Sequence, residues 1–289
     1  MVTIWGSCGY FCMGSVRGWS SPAIPSLNRT VDFELSPSDL QWISSFPLLG
    51  AVLGSLFIIK PMEYYGRKKA LIGHYFVFVF GFLITALASF GKHKSMLYAG
   101  RFLMGFAAGS TIPVLRLSEI RGQLGSATIS AMALGVWTTY LIGIFVDWHV
   151  LTWVFCCLPV LFLFGTMVMP ESPSWLLSNN REQEARQSLQ FLRGKGTNIE
   201  AEMKRIKEYQ EMININDPAS TTSVVKPLGI SLGVMLFQQT TGINAIVFYA
   251  DDIFQAVGMD EKYATIIVGA VQLVFTIASG FLARHSLVG

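Results

Sequence analysis

Long apolar runs recur along nearly the whole chain, and no other feature restricts its fold as much. A bilayer core of about 30 Å is crossed by roughly 20 residues of helix. About eight runs reach or approach that length. They lie near Val2–Gly18, Trp42–Ile59, Ala70–Phe90, Met96–Leu115, Ala127–Val146, Leu151–Met169, Leu228–Val257 and Tyr263–Ala283. In lipid each backbone polar group must be satisfied within its own segment, so such runs are expected as helices. Charge usage agrees: 13% of the 289 residues are charged, against about 25% in soluble domains. The expectation is an all-α, multi-span membrane protein.

Several function classes are excluded on composition. A net charge of +3 is too small and too dispersed for nucleic-acid binding. The start has neither a basic n-region nor a small-residue cleavage site, so a removable signal peptide is not expected. Cys8, Cys12, Cys156 and Cys157 lie in apolar surroundings without histidines at a zinc spacing, and read as packed or lipid-facing thiols. His74, His93, His149 and His285 are scattered. With no metal motif, nucleophile elbow or phosphate loop, neither an enzyme nor a cofactor is expected.

A polar segment of about 55 residues, running from Glu171 to Lys226, separates six spans from two. Within it Ala185, Leu189 and Leu192 share one helical stripe, and Gly194 and Gly196 end the pattern. The stretch NIEAEMKRIKEYQEMI repeats the amphipathic logic. The division expected is 1–170 as a six-helix bundle, 171–226 as a helical linker and 227–289 as two further spans. Lys60, Arg67, Lys68, Lys69, Arg116, Arg121 and the linker cations fall on one side, which the positive-inside rule makes cytoplasmic. Lys92 and Lys94 oppose that bias. Asn28 begins an Asn-Arg-Thr glycosylation sequon in the first outward loop.

Polar groups inside the spans are the functional candidates. Arg101 in YAGRFLMGF is either a snorkelling boundary residue or a buried pairing group. Asp251 and Asp252 read as a solvated helix end. The stretch FQQTTGIN holds Gln238, Gln239 and Asn244 in an apolar run. Amides donate and accept, as sugar hydroxyls do, so they suit a neutral polyol better than an ion. On a regular helix Gln238 and Asn244 point about 120° apart, and Gln239 and Asn244 about 140°. A break between them lets them converge. Gly242 permits one, and Thr240 and Thr241 are placed to bond the freed carbonyls. The alternative is that these amides only join helices by hydrogen bonds.

These motifs add up to a resemblance. GWSSPAIPSL, EYYGRKKA, GRFLMGF, SEI with RGQLGS, PESPSWLL and QQTTGIN with FYADDIF occur in order. In this the chain resembles the sugar porter family of the major facilitator superfamily, and within it the facilitated trehalose carriers of arthropods. The resemblance implies two six-helix halves with a sugar passing between them by alternating access. It implies sugar contacts at Gln238, Gln239, Asn244 and Gln272, and an outer-gate aromatic at Tyr249. It also implies a cytoplasmic charge network of Arg67, Lys68, Glu119, Arg121 and Glu171. Proton-coupled members carry an Asp in the first span, and Ser15 is matched to it here, which favours facilitated diffusion.

The chain also departs from the family pattern. It reaches about eight of the twelve expected spans, and reads as a truncated carrier. SEIRG is shorter than its counterpart, Ile129 stands where the fifth span carries a sugar-binding Gln, and Ser174 stands where many members have Arg. Two functions follow as expectations. One is facilitated diffusion of trehalose or a hexose across the plasma membrane. The other is a non-transporting sugar sensor, or a regulatory partner of a full-length transporter. Partners in either case are a neutral sugar and the lipid bilayer.

Overall fold

The computed structural model describes residues 2–29, 35–115, 123–194, 199–215, 221–242, 246, 253–254, 256, 258 and 261–286. Every regular element among them is helical: α1 (Val2–Gly18), α2 (Ser20–Arg29), α3 (Pro37–Phe57), α4 (Ile59–Tyr65), α5 (Arg67–Gly91), α6 (Lys94–Leu115), α7 (Gln123–Gly143), α8 (Trp148–Val168), α9 (Pro173–Ser178), α10 (Glu182–Arg193), α11 (Glu200–Ile215), α12 (Thr221–Thr240) and α13 (Glu261–Ser286).

The first span is longer than its apolar run suggests. The Trp19 N–H donates to Ser15 O at 3.0 Å and the Ala23 N–H to Trp19 O at 3.1 Å. The ladder therefore carries on from α1 into α2, and most of GWSSPAIPSL, at the end of the first apolar run, is helical. Ser20, Ser21, Ala23, Ile24 and Leu27 are buried along it. Their packing outweighs the helix-breaking tendency of Pro25, which lies inside α2. The second span likewise runs through Ile58, whose N–H donates to Gly54 O and whose carbonyl accepts from the Met62 N–H. Pro37–Tyr65, Arg67–Gly91 and Trp148–Val168 are each long and apolar enough to cross a membrane, and Ala127–Gly143 and Thr265–Gly280 are shorter apolar helices.

Small residues set the closest helix approaches. Gly50 and Gly54 of α3 press against the backbone of α6 at Phe102 and Phe106, while Gly105 and Gly109 of α6 press on Pro47 and Ala51. A side chain at any of these four positions would overlap main-chain atoms. This is the small-xxx-small packing that lets membrane helices gain dispersion contacts where lipid offers no hydrophobic drive. The same device joins α1 to α7 at Gly14 and Gly135. The core between these helices holds Trp19, Tyr75, Phe78, Phe82, Met104, Trp148 and Phe155.

Helices α9 to α11 form a small core of their own from Leu176, Leu177, Ala185, Leu189, Ile199, Met203 and Ile206, with Trp175 against it. Ala185 and Leu189 are the apolar stripe expected from the sequence, and α10 ends as expected at Gly194, whose φ is 97°. Charges tie the outside: Lys207 Nζ lies 2.7 Å from Glu182, Arg193 grips Glu202, and Arg186 bridges Glu182 and Glu200. The next helix starts at Thr221, some residues ahead of the apolar run.

Candidate functional site

The amide segment sits at the end of α12. The helix stops after Thr240, and Gly242 takes a φ of 69°. Its N–H turns to Gln239 O at 3.1 Å, one residue short of the helical partner. The Thr241 hydroxyl donates to Gln238 O at 2.6 Å and the Thr240 hydroxyl to Phe237 O at 2.8 Å. The break at Gly242 and the threonine bonds are thus both present. Ile246 resumes hydrogen bonding to Gly242 O. Gln238 and Gln239 are exposed, as is every described side chain from 229 to 241. Asn244 and Tyr249 lie outside the described residues.

Gln272 is half-buried on α13, and its carbonyl accepts the Thr276 hydroxyl at 2.7 Å. This helix packs on α7, where Gly269 rests against Trp137 and Tyr140. Trp137 contributes a buried indole N–H with no partner among the described residues. An aromatic in an apolar run reads as core, so no sequence signal separated Trp137 from its neighbours. Ile129 is exposed on the same helix.

Arg101 is fully buried, which decides between its two readings. Its Nε donates to Ile43 O at 3.2 Å, Nη1 to Val16 O at 3.3 Å and Nη2 to Ser20 Oγ at 2.6 Å. The guanidinium also lies 4.5 Å from the Trp19 ring centroid, a cation–π contact. The indole of Trp19 donates to Thr152 Oγ1 at 2.9 Å, and Thr152 donates in turn to Trp148 O. One cation so links four spans, and no carboxylate pairs with it among the described residues. Ser15, matched by resemblance to the proton-coupling acid, instead bonds Cys12 O at 2.8 Å. The first-span residue facing Arg101 is Ser20.

At the α4–α5 turn, Gly66 has φ 95° and ψ 166°. The Glu171 carboxylate fills the space a side chain there would take. Glu171 Oε1 accepts the Lys68 N–H at 2.8 Å and the Ser172 N–H at 2.9 Å. The Lys68 ammonium donates to Met167 O at 2.9 Å, and the Trp175 indole donates to Glu63 O at 2.9 Å. Lys68 and Glu171 therefore meet, but through the start of α5 rather than ammonium to carboxylate. A negative charge suits that helix N-terminus. Arg67 has no ion-pair partner among the described residues, and Glu119 and Arg121 lie outside them. Asn28 is exposed in the last turn of α2. Among the described residues no cluster of potential metal ligands occurs.

Solved structures share this architecture. The xylose transporter XylE from E. coli, in a partially occluded inward-open conformation, superimposes with a TM-score of 0.77 at 22% identity, covering 96% of this chain and 71% of that one. The XylE structure bound to 6-bromo-6-deoxy-D-glucose gives a TM-score of 0.80 at 22% identity, covering 97% and 68%. The bundle therefore shares the fold of these solved structures. The family described as "Sugar (and other) transporter" matches residues 4–286, and the chain belongs to it. Relatives include the "Facilitated trehalose transporter Tret1" of Bombyx mori, 34% identical over 290 residues, and that of Apis mellifera ligustica, 33% identical over 287. These alignments cover 96% and 93% of this chain but 56% and 57% of the relatives, so the chain spans little more than half their length. Its relatives are named as carriers rather than enzymes.

Proposed function

We propose that the chain takes part in facilitated diffusion of a neutral sugar, trehalose or a hexose, by alternating access. Gln238, Gln239, Asn244 and Gln272 meet the sugar hydroxyls, and Tyr249 closes over them from the outer side. The observation that carries the reading is the broken helix: α12 stops after Thr240 and Gly242 takes a positive φ, shortly after the exposed amides Gln238 and Gln239, and carriers commonly build their sites on such breaks. The absence of a carboxylate partner for Arg101 among the described residues supports facilitation over proton coupling. Arg67, Lys68, Glu119, Arg121 and Glu171 act as the gate on the cytoplasmic side of a plasma membrane. Residues 1–170 work as one bundle, 171–226 as the linker, and 227–289 as the start of the sugar-reading half.

A second reading is that the chain binds sugar, or joins a full-length relative, without transporting. One observation favours it: every described side chain of α12 from 229 to 241 is exposed, a surface on which another chain can pack. Uptake of radiolabelled trehalose and glucose into vesicles containing this chain alone separates the two. Saturable flux supports the carrier. Saturable binding without flux supports the second reading, and neither binding nor flux rejects both.

A further inference from the structure

Three cations follow one another at the start of α5, and the structure uses them differently. Arg67 is half-buried, and the Lys68 ammonium turns inward to Met167 O. Lys69 is exposed. It shares a stripe of α5 with Gly73, Phe76 and Phe80, all exposed and pointing within about 60° of one another. A second cation ends a similar stripe. Hydrogen bonding runs unbroken from α3 into α4 through Ile58. Lys60 therefore continues the face of Leu49, Leu53 and Leu56, again exposed and within about 60°. Both stripes lie on helices long and apolar enough to cross a membrane, so they face hydrocarbon. Each lysine stands where a lipid-facing stripe ends.

The two stripe ends are neighbours. Lys69 lines one recess with Pro61 and Tyr65 of α4, and Pro61 follows Lys60 in the chain. Tyr64 and Tyr65 are exposed beside them, their rings edge to face at 4.8 Å. Exposed tyrosines at a span end sit at the headgroup level of a bilayer. Neither lysine has an ion-pair partner among the described residues. The Glu171 carboxylate is taken by the Lys68 and Ser172 N–H groups. Glu63, exposed on α4, is the acid left to oppose Lys60, Arg67 and Lys69 here. Positive charge at headgroup depth above apolar stripes fits an anion that carries acyl chains. Phosphatidylcholine brings a cation of its own to the same place, and a soluble anion gains nothing from the stripes. With this end read as cytoplasmic, as proposed above, it meets the leaflet rich in anionic lipid. We propose that Lys60 and Lys69 bind an anionic phospholipid, with their ammonium groups on the headgroup phosphate and its acyl chains along Leu56 and Phe76.

The test uses the full chain in phosphatidylcholine nanodiscs doped with phosphatidylserine that carries a diazirine in one acyl chain. Phosphatidylcholine with the same diazirine is the control, and labelled peptides are mapped by mass spectrometry. Both faces of a nanodisc have one composition, so the outcome does not depend on which side is cytoplasmic. The serine lipid should label 49–60 and 69–80 at least about fivefold more than the choline lipid, the effect of one cation at a membrane surface. Lys60→Gln combined with Lys69→Gln should bring the two probes level, whereas Lys69→Arg should keep the preference. Both lysines are exposed, so these replacements leave the packing intact. Lys92→Gln, at the other end of α5, should change nothing. Equal labelling by the two probes in the unmodified chain would overturn the proposal. So would a preference that survives in the double variant, or one as strong at the Lys92 end of α5. A preference abolished by inorganic phosphate but not by chloride of equal ionic strength would overturn it in favour of a soluble anion.

Discussion

Removing the carboxylate of Glu171 should loosen the start of α5 by a predictable amount. Its Oε1 receives two main-chain N–H groups, at Lys68 and Ser172, and sits where the helix dipole is positive. Glu171→Gln keeps an acceptor but loses the charge, which is worth about 1 kcal/mol at a partly exposed helix end. Glu171→Ala loses both hydrogen bonds. Water replaces part of them because the site is only half-buried, so the net cost is about 2 kcal/mol. One to two kcal/mol corresponds to a factor of about 5 to 30 in a local equilibrium. Hydrogen exchange of the 66–71 peptide in nanodiscs reads this directly. Protection should fall about fivefold in the Gln variant and toward 30-fold in the Ala variant. The 182–193 peptide should stay unchanged, because the Ser188 hydroxyl bonds the Glu171 main-chain carbonyl, which both variants keep. Unchanged protection at Lys68 in the Ala variant would refute the reasoning. Equal loss in both variants would show that the acceptor contributes nothing beyond the charge.

Further outcomes follow from the same geometry. Gly66→Ala forces a side chain into a backbone region essentially restricted to glycine and displaces the Glu171 carboxylate, at a cost of about 1–3 kcal/mol of thermal stability. Combined with Glu171→Gln it should cost less than the sum, since both break one contact. Ser20→Ala removes a 2.6 Å hydrogen bond from a buried cation and should destabilise the bundle by about 1.5–3 kcal/mol, read by thermal unfolding in detergent. In the linker, Lys207 and then Arg186 hold the Glu182 carboxyl below its ordinary value. Its depressed pKa means the stabilisation is complete above the ordinary carboxylate range and is lost as pH falls through the lowered pKa. Exchange protection of 182–207 should therefore decline on acidification below about pH 4.5, and to a lesser degree in high salt.

What the sequence revealed was local. The end of α10 at Gly194, the stripe through Ala185 and Leu189, and the bend at Gly242 with its threonine bonds all rest on residues within a turn of each other. Span lengths were under-read because polar or proline-bearing turns continue a helix that apolar counting cuts short, as at Trp19 and Ile58. Partners distant in the chain were not legible. Arg101 is met by Val16, Ser20 and Ile43, from α1, α2 and α3, so its burial could not be decided from its neighbours in sequence. The same holds for Lys68 and Glu171, whose pairing by type was expected but whose meeting through a main-chain N–H depends on the Gly66 turn. Trp137 gave no signal, because an isolated polar tip in an apolar helix becomes notable only when its surroundings are known.

The most direct test of the sugar-reading segment is equilibrium binding of radiolabelled trehalose and glucose to the chain in nanodiscs, comparing it with Gln238→Leu and Gln239→Leu. Each amide meets a hydroxyl in the proposed site, so each loss should weaken binding of the recognised sugar about tenfold. Exposed positions on α12 such as Val234 should tolerate substitution by Leu without effect. Saturable binding that both amide variants retain undiminished would contradict the assignment of FQQTTGIN as the sugar-recognising segment.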